Sequence, residues 1–132
     1  MSTELIYLTL TALLAGSLWI PFIVGVTTEE KDFTDFSRPP DLTEMRPWVH
    51  RAFRAHQNLL ETLIPFAAVV LVAHVAGVST GVTVAAAIAF FWIRVAHAVG
   101  MISGFVIFPV RPIIFTASWI CTLLMGWQVL AA

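Results

Sequence analysis

Charge is what this sequence has least of. Charged side chains make up 11% of its 132 residues, against about 25% in an ordinary soluble domain. That shortage excludes a small soluble bundle, which needs a polar surface to stay dissolved. Hydrophobic residues reach 59% and mean hydropathy +0.90, so the bilayer is the natural solvent. The net charge of −1 excludes a broad basic surface, and with it nucleic acid as a partner. There is one cysteine, Cys121, which excludes an internal disulfide. It lies in an apolar run and reads as a small buried side chain. The first twenty residues lack Lys and Arg, and Leu5 to Val26 is a run of 22 residues without charge. A signal-peptide core spans about 7–15 residues, so a retained first span is expected.

The remaining run lengths count the spans. Residues 27–47 are rich in charge and proline and read as a loop in water, with Pro47 suited to a first helical turn. The next uncharged run, Thr62 to Ile93, is interrupted by Gly77-Val-Ser-Thr-Gly81, a tight-turn sequence. Each half is too short to cross alone, because a span needs about 20 residues. Both helices must therefore draw a charge into the membrane, Glu61 on one and Arg94 on the other. Pro65 is expected to kink the first of them. Pro112 to Ala132 supplies a last uncharged run of 21 residues. The expected fold is all-α: one integral membrane domain over residues 1–132, a four-helix up-down bundle. Its helices fall near 5–26, 46–77, 80–103 and 110–131. Lys31, Arg38, Arg46, Arg51, Arg54 and Arg111 cluster at the first and third loops. The positive-inside rule puts those loops in the cytoplasm and both termini on the other side.

Arg51, Arg54, Asn58, Glu61 and Pro65 are spaced to fall within about an 80° stripe of one helix. Arg94, His97 and Met101 repeat the spacing on the next, and Arg111 opens the last at the same side. A charge in hydrocarbon costs about 2.5–3.5 kcal/mol on insertion scales, so these groups need partners or a polar cavity. Glu61 and Arg94 are natural partners, and a structural ion-pair network is one reading. Four arginines against one carboxylate favour an anionic ligand instead, since guanidinium binds carboxylates bidentately.

Other features read as structural. His50, His56, His74 and His97 show no i, i+4 pair of the kind that binds zinc on a helix, so no metal site is expected. A proton path built on Glu61 and the histidines is weaker, because the histidines do not share a stripe. Trp48, Trp92, Trp119 and Trp127 suit core or interface anchoring. Ala96, Gly100 and Gly104 form a small-residue row that permits close approach of a helix or another subunit. Four helices hardly enclose a ligand-sized polar cavity, so oligomerisation is expected.

The run Arg51-Ala-Phe-Arg-Ala-His-Gln-Asn-Leu-Leu-Glu-Thr-Leu-Ile-Pro-Phe66 resembles the second-helix signature of the MAPEG family, the membrane-associated proteins in eicosanoid and glutathione metabolism. Arg94-Val-Ala-His97 is similar to its third-helix motif, and Pro109-Val-Arg111 to the start of its fourth helix. The likeness covers nearly the whole chain. It runs to the glutathione transferase and prostaglandin E synthase members, and most closely to the bacterial branch. The resemblance implies a homotrimer in a bacterial inner membrane, with glutathione as cosubstrate between subunits. It implies that Arg54, Asn58, Glu61, Arg94 and His97 bind or order glutathione, and that Arg111 stabilises its thiolate. A nearby guanidinium lowers a thiol pKa from about 8.5, which raises the reactive fraction. The sequence departs from the catalytic members where they carry hydroxyls: Met101, Phe115 and Pro112 stand at those places, and Gln57 replaces a basic residue. Two readings follow: a glutathione-dependent transferase or peroxidase acting on lipophilic electrophiles, or a non-catalytic structural or accessory subunit of a membrane assembly.

Overall fold

Backbone N–H and C=O groups in hydrocarbon must be paired within the chain, which leaves helices as the simplest way across. The computed structural model describes residues 1–29, 37, 41–105 and 108–132. Lys31 and Arg38, counted above for orientation, lie outside them. Four stretches are helical, long and apolar enough to cross a membrane: Thr3–Thr27, Pro47–Val75, Gly81–Ser103 and Val110–Leu130.

The first stretch is two helices rather than the one expected. α1 (Thr3–Ser17) is capped by Ser2, whose hydroxyl oxygen accepts from the Leu5 N–H at 3.4 Å. It stops at Leu18, and α2 (Trp19–Thr27) continues. Pro21 is the cause. It has no N–H for the carbonyl of Ser17, and its ring crowds that carbonyl. Leu18 stays right-handed (φ −70°, ψ −11°), so the span bends without opening into a loop.

α3 (Pro47–Val75) starts at the expected proline and stays helical through Pro65. It ends where Gly77 takes a left-handed conformation (φ +71°) and the Val78 N–H turns back to the Ala73 carbonyl at 2.9 Å. Thr80 and Thr83 then cap each other: the Thr80 hydroxyl accepts from the Thr83 N–H at 3.2 Å, and the Thr83 hydroxyl from the Thr80 N–H at 2.8 Å. This launches α4 (Gly81–Ser103), so the hairpin read from Gly77–Gly81 is present. α5 (Val110–Leu130) closes the chain.

Side-chain bonds at both ends register the spans as up and down. At one end Glu4 of α1 meets Ser79 and Thr83, and Gln128 of α5 accepts from Thr80. At the other, Arg46 reaches back across the first loop. Its Nε bonds Glu29 at 2.9 Å, and its Nη2 donates to the Thr28 hydroxyl at 2.7 Å and the Gly25 carbonyl at 3.2 Å. Arg46 thus supplies a cation to the carbonyl end of α2, where the helix dipole favours one. The bond to Arg46 holds the Glu29 carboxyl below the ordinary carboxylate pKa. Gly25 is required beside this clasp: a Cβ there would sit 2.6 Å from a Val49 methyl.

α3 and α4 pack together, with the first span and α5 on opposite sides of the pair. The main core stacks Phe66 on Phe90, ring centroids 3.8 Å apart, among Val70, Ala73, Ala86, Ala87, Cys121 and Met125. Cys121 is buried and free, as read from the sequence. The outer surface is apolar: Leu13, Ile64, Val99, Trp92, Trp119 and Trp127 are all exposed. In water such a surface would aggregate; in a bilayer it is the solvated face. These three tryptophans therefore sit outward, while Trp48 is half-buried against Val26, Met45 and Val49. The molecule is a four-helix bundle of an integral membrane protein.

Candidate functional site

The helical stripe on α3 lies at the edge of its buried face, not at the centre. Val49, Ala52, Ala55, Leu59, Phe66, Val70 and Ala73 form the buried arc. Asn58 is half-buried at its border, while Arg54, Glu61 and Pro65 point outward and are exposed. Arg51 also sits at the border, donating to the Ile102 carbonyl at 3.4 Å.

Arg94 is the largest fully buried side chain, 1% exposed. Its Nη2 donates to the Asn58 amide oxygen at 2.6 Å, and its Nη1 to the Ser118 hydroxyl at 3.3 Å. Nη2 also lies 3.5 Å from Nδ1 of buried His97. The expected Glu61–Arg94 pair is therefore absent, and Asn58 takes the carboxylate's place. The reason is angular. Glu61 follows Asn58 by three residues, which turns it about 60° further from the core. That rotation carries its carboxylate away from α4, and among the described residues it makes no ion pair.

A groove of about 350 Å³ opens where α3, α4 and α5 meet, lined by Asn58, His97, Arg111, Pro112, Phe115 and Thr116. Ligand pockets run from about 300 to 1,000 Å³. Three of the six residues expected at a site line this groove: Asn58, His97 and Arg111. Arg94 stands directly behind two of them. Arg54 and Glu61 belong to the outward face of α3 and are not brought into the groove within one subunit.

The groove is set up to donate. A guanidinium has no acceptor, so in a bond to Arg94 His97 Nδ1 accepts and the ring proton is carried on Nε2. Nε2 is buried and has no hydrogen-bond partner among the described residues. It is a free N–H in the wall of a groove that also carries the Arg111 cation and contains no carboxylate. Arg94 Nε is likewise buried without a partner. Unpaired buried polar groups cost roughly 1–3 kcal/mol each, and the one on His97, a lining residue, points to a ligand that accepts. Among the residues noted for missing hydroxyls, Phe115 and Pro112 line the groove, while Met101 is buried.

Two hydroxyls here were not singled out from the sequence. Thr116 lines the groove, and Ser118 braces Arg94. Ser118 follows Arg111 by seven residues, two helical turns on the same face, and that spacing was its signal. Thr116 follows the groove-lining Pro112 by four.

Glu61 adds a constraint from depth. Counted from Val75 at 1.5 Å per residue, it lies about 21 Å along α3 and Arg54 about 32 Å. With hydrocarbon about 30 Å thick, Arg54 reaches the interface and Glu61 does not. An exposed carboxylate beside Leu60 and Ile64 cannot face lipid tails unaided.

No curated protein matches this chain. The family model described as the MAPEG family matches residues 6–131. That match takes in the first span from its second turn, the other three spans whole, and every residue of the groove and of the Arg94 cluster: the chain belongs to the MAPEG family.

Proposed function

We propose that this protein is a glutathione-dependent membrane transferase or peroxidase acting on lipophilic electrophiles, assembled as a homotrimer. The observation that carries this reading is the groove of unpaired donors: His97 Nε2–H and Arg111 in a wall without a carboxylate, held by Arg94 from behind. Glutathione has two carboxylates and a thiol, which matches a donor-rich wall. Membership of the family supports the same cosubstrate.

The division of labour follows from charge and position. Arg111 stabilises the thiolate and so raises its fraction at neutral pH. Asn58 and His97 position the tripeptide, and Arg94 fixes both of them. In a trimer, Arg54 and Glu61 on the outward face of α3 meet the neighbouring subunit's groove and complete the binding of the tripeptide. Glu61 is then covered by polar groups rather than by lipid, which meets the constraint from its depth. The thiolate sulfur forms a bond to an electrophilic carbon, and the displaced group leaves with the electron pair. Substrates of this kind dissolve in the bilayer and enter from the side. By the positive-inside rule the groove faces the cytoplasm of a bacterial inner membrane, with both termini outside.

One observation favours a second reading, a non-catalytic accessory subunit: Phe115 and Pro112 stand in the groove where catalytic relatives carry hydroxyls. Thr116 offers the one hydroxyl among the lining residues. Thermal unfolding of the detergent-solubilised protein separates the two. Millimolar glutathione raises the midpoint of the wild type under the enzyme reading, and the shift shrinks in Glu61→Gln. No shift at 10 mM leaves the accessory reading standing.

A further inference from the structure

The far end of the bundle holds a second buried charge that the groove does not use. Glu4, the one charged residue of the first span, is 5% exposed. Its Oε1 accepts from the Ser79 hydroxyl at 2.8 Å and the Thr83 hydroxyl at 2.7 Å. Its Oε2 is buried and has no partner among the described residues. Among the described residues it makes no ion pair. Glu4 lines a cavity of about 210 Å³ together with Ser2, Val70, Ala73, His74, Gly77, Val78 and Ser79. His74 lies about 24 Å along α3 from Asn58, so this cavity is separate from the groove.

Three features define what it would take. The unpaired Oε2 is an acceptor. The carbonyl end of α3, which ends at Val75, borders the cavity and carries the negative pole of that helix. No lysine or arginine lines it, and His74 is the only other titratable group that does. A cation fits this wall, at a carboxylate whose charge the N-terminal turns of α1 and α4 already share in stabilising. A calcium ion needs six to eight oxygen ligands, and the cavity offers a single carboxylate, with no cluster of three His, Cys, Asp or Glu among the described residues. A quaternary ammonium is recognised by aromatic faces, and no aromatic ring lines the cavity. A primary ammonium has three N–H donors and suits a carboxylate oxygen flanked by hydroxyls and helix carbonyls. The helix ends here place the cavity at headgroup depth, where Val70, Ala73 and Val78 provide an apolar border.

We propose that the Glu4 cavity binds a primary ammonium group, carried by an aminophospholipid headgroup or by a small free amine. The site is independent of the glutathione reading. Glu4 makes a charge-assisted bond to the ammonium and is held in place by Ser79 and Thr83.

Native mass spectrometry of the intact protein released from detergent tests this with defined lipids. The wild type should retain phosphatidylethanolamine at least tenfold over phosphatidylcholine of the same chains. Glu4→Gln, which keeps the shape and the Oε1 acceptor, should lose that preference. Arg111→Ala should keep it, because the opposite end is not involved. Displacement of the lipid by free ethanolamine identifies the free amine as a ligand; retention in its presence identifies the lipid. Equal retention of the two lipids by the wild type overturns the proposal, as does an unchanged preference in Glu4→Gln. Should Glu4→Gln fail to fold, the mono- and dimethylated headgroups decide on the wild type alone. Stepwise loss with each methyl supports the site, and a flat series overturns it.

Discussion

The two ends of this bundle each bury one charge, and they treat it differently. At the α3–α4–α5 groove, Arg94 spends its guanidinium on neutral partners, Asn58, Ser118 and His97, drawn from three helices. The positive charge itself is left uncompensated and sits behind a groove lined by another arginine. At the far end, Glu4 binds two hydroxyls from a single segment, the turn and first residues of α4. The first arrangement ties three helices together around an excess of positive charge. The second docks one span onto one turn. Neutral hydrogen-bond partners let a protein bury a charge without cancelling it.

The largest test of that contrast is Arg94→Ala. It removes a large buried side chain and strips Asn58 and Ser118 of their donor, so we expect a loss of about 3 kcal/mol or more in thermal unfolding in detergent. Glu4→Gln keeps an acceptor at both hydroxyls and should cost about 1 kcal/mol, the difference between a charged and a neutral hydrogen bond. Equal losses would dissolve the distinction between a knot and a dock. Next is Arg111→Ala. The side chain is exposed and makes no bond among the described residues, so stability should change by less than about 0.5 kcal/mol. Glutathione conjugation should fall about 100-fold or more in kcat/KM, the scale for removing one stabiliser of a developing anion. A variant that lost stability and activity together would make Arg111 part of the scaffold.

The smallest effect concerns the clasp between Arg46 and Glu29, an ion pair with a solvent-exposed arginine. Because folding lowers the Glu29 pKa, this pair stabilises the protein above the ordinary carboxylate range. Its contribution falls away as pH drops through that lowered value, when the carboxyl is protonated. The unfolding midpoint of the wild type should fall faster with acid than that of Glu29→Gln over this window. Identical slopes would show that the clasp carries no stability.

Much of the site was legible because hydrocarbon punishes charge. The length of uncharged sequence on either side of Gly77–Gly81 required Arg94 to lie at bundle depth, and it is buried there. The spacing of Asn58, His97 and Arg111 placed them at one end, and one groove gathers them. The partner of Arg94 was misread because charge complementarity says which groups attract, not which way each faces. A rotation of about 60° between Asn58 and Glu61 decided that. Glu4 offered no signal at all. Its partners are 75 and 79 residues away, and nothing local marks a span whose first turn docks on a distant hairpin.

By itself the sequence determined the solvent, the number of crossings and the caps that start and stop the helices. Each follows from local chemistry: run length against bilayer thickness, glycine at a left-handed position, threonines that satisfy unpaired N–H groups. Even the break at Leu18 was written locally, in Pro21. Tertiary structure alone decided which side of each helix meets which neighbour. Those choices set Asn58 rather than Glu61 against Arg94, left His97 Nε2 without a partner, and folded Glu4 under the α3–α4 turn. They depend on the relative rotation of packed helices, a sum over many weak apolar contacts that no single spacing encodes.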